Sequence, residues 1–330
     1  MKNISIIGDG AVGSVCAILL CQKGFAVRMW GYDAEQLAQI EKRRENFRFL
    51  PGYKLPTSLV FEPEDCEILK GAELIISAVP CQYMRSVWQR LKNYVSVSVP
   101  IVSVTKGIEN DTLLRPSEIL SDVINKDIKV VALSGPTIAD ELVRKLPATA
   151  TAASVNERLA GMVQEIFSTL YFRIYRNSDI VGVELAGAMK NVIAIAAGII
   201  DGIKAGDNAK AALVCRGLAE ITRLGLAMGA KEQTFAGLSG LGDLVTTCIS
   251  PMGRNRSFGQ RIGTGATVKQ ALEATESVVE GVDTCKSVID LARKYAVNMP
   301  ITEAVYQILF EGKSVSAAIE ELMARKLKAE

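Results

Sequence analysis

A lysine within an apolar stretch is the strongest candidate for chemistry in this sequence. Lys190 lies in residues 184–198, where most of the other side chains are apolar, and a helix that is apolar on nearly every face is predicted to be buried. Burial lowers the pKa of an ammonium group, which allows it to exchange a proton near neutral pH. Ala194 and Ala197 share its helical face, so small side chains leave space beside the ammonium. The alternative is a structural lysine whose stem packs while its ammonium reaches water.

The sequence contains no histidine at all. This excludes Ser-His-Asp and Cys-His nucleophilic sites, imidazole metal ligands, and dehydrogenases whose acid/base group is an imidazole. The seven cysteines include no Cys-x-x-Cys pair, so we expect reduced thiols and no metal. None of the eight tyrosines has a lysine four residues away, which excludes the short-chain type of dehydrogenase. A proton-transfer role therefore falls to a group such as Lys190.

A glycine-rich turn near the N-terminus predicts a dinucleotide site. The apolar run 4–7 leads into Gly8, Gly10 and Gly13, and an apolar helix and a second strand follow. In this pattern the first glycine permits a tight turn, the second lets a pyrophosphate approach the backbone, and the third lets helix and strand touch. The helix N-terminus offers free N–H groups to the phosphates. The alternative is a glycine-rich turn in an unrelated α/β protein.

The end of the second strand leaves the choice of cofactor open between NAD and NADP. Asp33 follows Gly13 by twenty residues, near where a carboxylate would accept the ribose hydroxyls of NAD. Its alternative role is the N-cap of a helix over residues 34–43. Arg28 would serve a 2′-phosphate, or it faces solvent from its strand.

Four further segments carry groups suited to a small anion. Lys106 comes directly after a predicted strand, and residues 134–137 form a tight turn after another. Asp243 ends a glycine-dense segment, either as a ligand or as an N-cap. Arg254 and Asn255 adjoin on a predicted loop, which suits a phosphate because arginine donates two parallel hydrogen bonds. The alternative for this pair is a solvated basic turn.

The elements that must position these groups differ between the two halves of the chain. Strands are predicted at 4–7, 26–30, 73–79, 101–105 and 129–133, alternating with helices such as 12–23. Later helices are predicted at 182–203, 209–228, 268–275, 284–295 and 315–327. We therefore predict an α/β protein whose N-terminal part, residues 1–178, is a doubly wound Rossmann-like sheet with parallel crossovers. Residues 179–330 are predicted to form an all-helical domain for substrate binding and catalysis.

Composition indicates a soluble protein. The 330 residues are 49% hydrophobic and 22% charged with a net charge of +2, so disorder and general affinity for nucleic acid or anionic membranes are disfavoured. Glycines and Asp9 interrupt the first apolar stretch, which disfavours a secretion signal. Three polar residues interrupt the longest apolar segment, residues 183–200, which disfavours membrane insertion. We expect a cytoplasmic location.

Taken together, these segments resemble the bacterial NAD(P)-dependent glycerol-3-phosphate dehydrogenase family over essentially the whole chain. The matching stretches are residues 105–109, 134–137, 184–196, 206–209, 216–218, 237–244, 247–248, 254–256 and 278–281. The resemblance implies a Rossmann domain, a helical C-terminal domain and commonly a homodimer. It also implies an oxidoreductase of lipid metabolism whose product supports glycerophospholipid synthesis.

The resemblance also implies roles for individual residues. Lys190 is implied to be the catalytic proton-transfer group. Contacts to the phosphate substrate are implied for Lys106, Gly135, Thr137, Lys190, Asp243, Arg254 and Asn255. The cofactor, NAD or NADP, is implied to lie along Gly8, Gly10, Ala11, Val12, Gly13, Tyr32, Lys106, Ala139, Arg254, Val278 and Glu280.

The sequence departs from the family pattern at several of these positions. Ala11 and Val12 stand where the family usually has a serine and an aromatic residue, so a hydroxyl and a ring beside the pyrophosphate are lost. Tyr32 stands where a basic residue is common, which argues against a preference for NADP. Phe49 lacks the usual phenolic oxygen, and Gly253 replaces a serine before the basic segment. We expect weaker cofactor and substrate affinity from these changes.

The reaction hypothesis is reversible hydride transfer between the nicotinamide and C2 of dihydroxyacetone phosphate, giving sn-glycerol 3-phosphate. Lys190 would donate the proton, with Asp243 and Asn191 orienting the ammonium. Two alternatives stay open at this point. A ketopantoate-reductase-like enzyme acting on a 2-oxo acid is disfavoured by the basic pair at 254–255, and a non-catalytic dinucleotide-sensing protein is disfavoured by the intact Lys190 region.

Overall fold

The computed structural model describes residues 2–275 and 278–327 and divides the chain into two compact units. The first unit comprises the described residues up to Lys106 together with Leu114–Glu184. The second comprises Gly107–Leu113 and the described residues from Leu185 onward. Compared with the division into 1–178 and 179–330 made on the sequence, the junction lies later and one short segment of the N-terminal half belongs to the second unit.

The described part of the first unit holds eight strands in one sheet. The strands are β1 Asn3–Ile7, β2 Ala26–Trp30, β3 Val60–Phe61, β4 Leu74–Ser77, β5 Ile101–Ser103, β6 Val130–Ser134, β7 Ala148–Ala153 and β8 Phe172–Asn177. Their order is β3-β2-β1-β4-β5-β6-β7-β8. From β1 the chain adds β2 and β3 on one side, and it then crosses to add β4 on the other side of β1. Ligands in such sheets bind beyond the carboxyl ends of the strands at this change of side.

Seven α-helices in the described part of this unit accompany the sheet: α1 Ala11–Gln22, α2 Ala34–Arg43, α3 Asp65–Ile68, α4 Cys81–Leu91, α5 Pro116–Val123, α6 Ala139–Val143 and α7 Glu157–Phe167. Successive strand residues point to opposite faces, and two separate cores result. Ile6 and Ile76 pack in the core that α1 and α7 cover. Ile7 and Ile75 pack in the core that α4 and α5 cover. Helices thus cover both faces, and the predicted doubly wound Rossmann-like fold is confirmed.

Three strands, β3, β7 and β8, escaped the sequence analysis. β7 has the sequence Ala-Thr-Ala-Thr-Ala-Ala, and alanine is depleted in strands, so its pattern carried little strand signal. β7 runs antiparallel to β6, whereas β8 runs parallel to β7. The expectation of purely parallel crossovers is therefore wrong at this edge, although β1 to β6 are all parallel.

The described residues of the second unit form helices and no strand. The helices are α8 Ile180–Gly202, which begins in the first unit, α9 Asp207–Ala227, α10 Glu232–Phe235, α11 Asp243–Ile249, α12 Arg254–Gly263, α13 Val268–Glu273, α14 Glu280–Lys294, α15 Pro300–Phe310 and α16 Val315–Met323. The predicted all-helical second half is confirmed. α8 is long and apolar enough to cross a membrane, but 89% of its most apolar window is buried inside the protein. Such burial is typical of a core helix.

Candidate active site

The glycine turn between β1 and α1 forms a cradle in the first unit. Gly8 has φ +114°, and a Cβ there would lie 2.6 Å from the carbonyl oxygen of Ala78, just after β4. A Cβ on Gly13 would overlap the carbonyl oxygen of Gly8. By contrast, no atom lies within 4 Å of the position of a Cβ on Gly10. The outer glycines are therefore required by packing, whereas the middle one faces open space.

The N-terminus of α1 is prepared for an anion. Its N-cap is Gly10, which has no side chain to satisfy the first N–H groups, and its first turn contains no acidic residue. Ala11 is half-buried and Val12 is 39% exposed. Free N–H groups and the positive end of the helix dipole together bind phosphates. The open position at Gly10 and this uncapped helix fit the pyrophosphate of a dinucleotide.

A buried asparagine that the sequence analysis missed anchors this turn. Asn46 donates from Nδ2 to the carbonyl oxygen of Asp9 at 2.7 Å and contacts Ser14 Oγ at 2.8 Å. Asn46 has no exposed surface, so its polar atoms depend on these partners. No local pattern in the sequence could reveal it, because the contact joins residues more than thirty positions apart.

At the end of β2, the structure shows the protein contacts of two residues that were each given alternative roles. Asp33 Oδ1 accepts hydrogen bonds from the backbone N–H groups of Glu35 and Gln36 at 3.0 and 3.1 Å, so its N-cap role is confirmed. Arg28 donates from Nη1 to the carbonyl oxygen of Glu67 at 2.6 Å and from Nη2 to that of Lys70. Its guanidinium therefore holds the backbone around α3 instead of simply facing solvent, and its contact with a 2′-phosphate stays a prediction. Tyr32 is 70% exposed.

The ends of β5 and β6 bring together three of the predicted substrate residues. Lys106 Nζ donates to the carbonyl oxygen of Gly135 at 3.0 Å. Thr137 Oγ1 donates to the same oxygen at 3.1 Å. Ala139 opens α6 immediately afterwards. An ammonium, a hydroxyl and the N-terminal residue of a helix thus lie beyond neighbouring strands, where this fold binds ligands.

In the second unit, Lys190 is held by a carboxylate and a hydroxyl. Its residue surface is 7% exposed, and Nζ forms an ion pair with Asp243 Oδ1. Nζ also donates to Thr247 Oγ1 at 2.6 Å, and this hydroxyl donates to the carbonyl oxygen of Asp243 at 2.7 Å. Asp243 is the predicted orienting group. Thr247 was missed as a functional residue, although its place four residues after Asp243 on a helix was the available signal.

An irregular helical turn positions Asp243. The segment Leu238–Gly242 closes with a hydrogen bond from the N–H of Gly242 to the carbonyl oxygen of Gly237 at 3.1 Å, which is a π-type turn. Asp243 then begins α11 with Gly242 as its N-cap, so the predicted N-cap role of Asp243 is wrong. Turns of this type widen a helix locally and often occur at functional sites. Here the turn introduces a carboxylate that is 1% exposed.

Burial leaves the Cys248 thiol near Lys190 inert. Burial raises the pKa of Cys248 to about 12, although Lys190, Lys210 and Arg256 act to lower it. The thiol is consequently protonated at neutral pH, and it offers no thiolate nucleophile. Lys190 remains the proton-transfer candidate at this position.

Arg254 and Asn255 begin α12, and they contact the chain just before α14 and at its start, respectively. Asn255 is buried and its Oδ1 accepts from the N–H of Gly281 at 2.9 Å. Arg254 donates from Nη1 to the carbonyl oxygen of Val278 at 3.2 Å, and Glu280 is the first residue of α14. The structure thus groups four predicted site residues, and the loop predicted at 253–256 is instead a helix start.

Close packing fixes α12 against α8. A Cβ on Gly198 of α8 would overlap the carbonyl oxygen of Arg256, and a Cβ on Gly259 of α12 would overlap that of Ile195. The helix bearing Asn255 is therefore held against the helix bearing Lys190 by direct backbone contact. Asp201, which shares the helical stripe of Lys190, adds ion pairs to Lys210 and, at 2.6 Å, to Arg256.

Comparison with known proteins identifies the family to which these features belong. A model of the NAD-dependent glycerol-3-phosphate dehydrogenase N-terminus matches residues 3–160, and one of the C-terminus matches residues 179–320. The glycerol-3-phosphate dehydrogenase (NAD(P)+) of Citrifermentans bemidjiense is 48% identical, covering 100% of this chain and 99% of that protein. That of Bacillus pumilus is 46% identical, covering 98% and 95%.

A solved structure agrees with these matches. The crystal structure of glycerol-3-phosphate dehydrogenase from Coxiella burnetii superposes with a TM-score of 0.94 at 36% identity, covering 98% of this chain and 99% of that one. The likeness therefore extends over both units, from the glycine turn to the helices that carry Lys190 and Asn255. As its sequence motifs predict, the chain belongs to the NAD-dependent glycerol-3-phosphate dehydrogenase family.

Proposed function

We propose that this protein reversibly reduces dihydroxyacetone phosphate to sn-glycerol 3-phosphate with NADH or NADPH. The observation that carries the proposal is the buried Lys190 ammonium, held between the Asp243 carboxylate and the Thr247 hydroxyl. Membership of the family, whose relatives bear the name glycerol-3-phosphate dehydrogenase, supports the substrate.

Lys190 transfers the proton in this reaction. The bound nicotinamide supplies the hydride in reduction and takes it up in oxidation. In reduction, Lys190 Nζ gives a proton to the oxygen at C2 and stabilises the charge that develops there. In oxidation, the same atom removes the proton from the C2 hydroxyl. Thr247 and Asp243 fix the direction of Nζ, and the negative Asp243 offsets the cost of burying the ammonium.

Substrate binding is assigned to the two other groups of polar residues. Arg254 and Asn255 hold the phosphate, because a guanidinium and an amide both donate hydrogen bonds to phosphate oxygens. Asn255 Oδ1 accepts a hydrogen bond from the N–H of Gly281. The NH2 group of the same amide therefore points away from Gly281 and can donate to a phosphate. Lys106, Gly135 and Thr137 contact the remainder of the substrate. Phosphate binding remote from C2 helps to align the reacting carbon.

Cofactor binding is assigned to the glycine turn and to the segment at α14. The N–H groups at Gly10, Ala11 and Val12 receive the pyrophosphate. Further contacts along the dinucleotide are assigned to Gly8, Gly13, Tyr32, Lys106, Ala139, Arg254, Val278 and Glu280. Because Ala11 and Val12 lack the hydroxyl and the aromatic ring that are usual in the family, the affinity for the dinucleotide is predicted to be modest.

The wider role follows from the family resemblance. We infer a cytoplasmic homodimer without membrane insertion, whose product feeds glycerophospholipid synthesis. The burial of α8 supports the absence of membrane insertion. Sedimentation of the purified protein tests the dimer, and a monomer across micromolar concentrations would contradict it.

The deciding experiment follows nicotinamide absorbance with dihydroxyacetone phosphate, using NADH and NADPH side by side. Wild type should consume the nucleotide, and Lys190→Met should lose at least about a thousandfold in kcat while still binding NADH. Lys204→Met is the matched control, since this exposed lysine lies just after α8, and it should keep full turnover. Undiminished turnover in Lys190→Met would refute the assignment. Ketopantoate in the same panel tests the 2-oxo acid alternative, which family membership disfavours.

A further inference from the structure

The glycine turn carries a carboxylate that the reaction does not use. Asp9 stands between Gly8 and Gly10, and its side chain reaches across to Gly31, the residue directly after β2. A Cβ on Gly31 would lie 2.8 Å from Asp9 Cγ and 2.9 Å from Oδ2. The missing side chain at Gly31 thus makes room for the carboxylate.

Hydrogen bonds fix this carboxylate in place. Gln36 Nε2 donates to Asp9 Oδ2 at 2.7 Å, and Asn46 holds the backbone carbonyl of Asp9 at 2.7 Å. Burial raises the pKa of Asp9, whereas the hydrogen bond from Gln36 lowers it. A poorly hydrated carboxylate in fixed geometry opposes any second anion placed beside it.

The carboxyl end of β2 is where this fold receives the adenine ribose of a dinucleotide. An acid there accepts the ribose hydroxyls of NAD, whereas a basic residue accommodates the 2′-phosphate of NADP. Asp33, the acid expected from spacing, is the N-cap of α2. Asp9 reaches the same strand end from the glycine turn, so it can take the place of that acid.

The neighbouring arginines are each committed to a protein partner. Arg28 donates to two backbone carbonyls. Arg90 Nε donates to Asp65 Oδ2 at 2.5 Å, and Arg48 Nη1 donates to Gln36 Oε1 at 3.2 Å. Each of these three guanidiniums therefore already has an acceptor within the protein.

We propose that Asp9 is the residue that makes this protein prefer NAD to NADP. Its carboxylate accepts a ribose hydroxyl of NAD and repels the 2′-phosphate of NADP. The inference rests on the proposed function, because it requires a dinucleotide at the glycine turn. The choice between NAD and NADP is thus assigned to the glycine turn, whereas the sequence analysis looked for it at Asp33, after β2.

The test measures dissociation constants directly, by titrating the purified protein with NADH and with NADPH and following nicotinamide fluorescence. Wild type should bind NADH at least about tenfold more tightly than NADPH. Asp9→Asn should reduce that ratio to about threefold or less, mainly through tighter NADPH binding. Asp33→Asn is the matched control: it removes the same charge from the same region, keeps N-cap chemistry, and should leave the ratio unchanged.

The outcomes separate this inference from the proposed function. Equal affinities in wild type, an unchanged ratio in Asp9→Asn, or an equal effect of Asp33→Asn would each overturn the role of Asp9, even if turnover of dihydroxyacetone phosphate is intact. Failure of wild type to bind either nucleotide would overturn both. Should Asp9→Asn fail to fold, Asp9→Ser supplies the same comparison, and the wild-type ratio decides by itself whether a preference exists.

Discussion

The buried pair between Lys190 and Asp243 makes a quantitative prediction about stability. The side chains are 8% and 2% exposed, so the two charges lie almost wholly away from water, and the Thr247 hydroxyl also contacts the ammonium. Removing one member of such a pair leaves an uncompensated buried charge, which costs about 3–5 kcal/mol. Replacing both members with neutral groups of similar volume avoids that cost. The single variants should therefore be less stable than the double variant.

The perturbation is a double-mutant cycle of Lys190→Met, Asp243→Asn and their combination. In Asp243→Asn the ammonium loses its counter-charge, and the midpoint of thermal unfolding should fall by about 10 °C at the usual 2–4 °C per kcal/mol. In the double variant no charge is stranded, so the coupling energy should be at least about 2 kcal/mol in favour of the double variant.

The assay is thermal and urea unfolding of all four proteins under one set of conditions. The reasoning fails if Asp243→Asn unfolds within about 1 kcal/mol of wild type, or if the double variant loses the sum of the two single losses. Kinetics provide a second readout. Turnover should stay absent in the double variant, although its stability recovers, because Asp243 supports Lys190 but cannot transfer the proton in its place.

Three further predictions concern other parts of the molecule. Gly10→Ala should have the thermal stability of wild type, since its Cβ meets open space, but it should bind NADH more weakly. Gly13→Ala should lose stability, because its Cβ overlaps the Gly8 carbonyl. Fluorescence titration and thermal unfolding distinguish the two variants, and identical behaviour would contradict this account. Gly259→Ala should cost about 1–3 kcal/mol by forcing α12 away from α8 and should raise the KM for dihydroxyacetone phosphate, and an unaltered melting temperature would count against it. Cys248, whose pKa burial raises to about 12, should resist iodoacetamide at pH values where the exposed Cys66 and Cys215 react, as peptide mass spectrometry would reveal; rapid labelling of Cys248 would disprove its burial.

The sequence predicts best those features that depend on local spacing. β2 and α2 occur at the predicted residues, because an alternating apolar run and an N-cap followed by amphipathic helix are local signals. The glycine turn has the predicted surroundings for the same reason. Asp33 follows the same rule, since its N-cap hydrogen bonds join it to neighbours two and three residues away.

Features that depend on distant partners were beyond reach. Asn46 serves a turn far away in the chain, and Arg28 finds its carbonyl partners beyond β3. The start of α12 was misread as a loop, because Gly253 and two arginines resemble a turn and tertiary packing against α8 decides the outcome. β7 is recognisable only by the strands that it pairs with. The spacing of Thr247 from Asp243 was a local signal, but its bond to Lys190 joins positions far apart in the chain.

The contact between α8 and α12 limits how this protein can change. Where two helices meet through carbonyl oxygens and glycines, no rotamer is available to absorb a displacement, and the pair must tilt or slide as one body. The distance between the Lys190 ammonium on α8 and the Asn255 amide on α12 is therefore set by main-chain contacts. Directed evolution toward longer or shorter substrates should therefore find active variants in the loops that flank these helices. Substitutions of the glycines where α8 and α12 cross should not be tolerated.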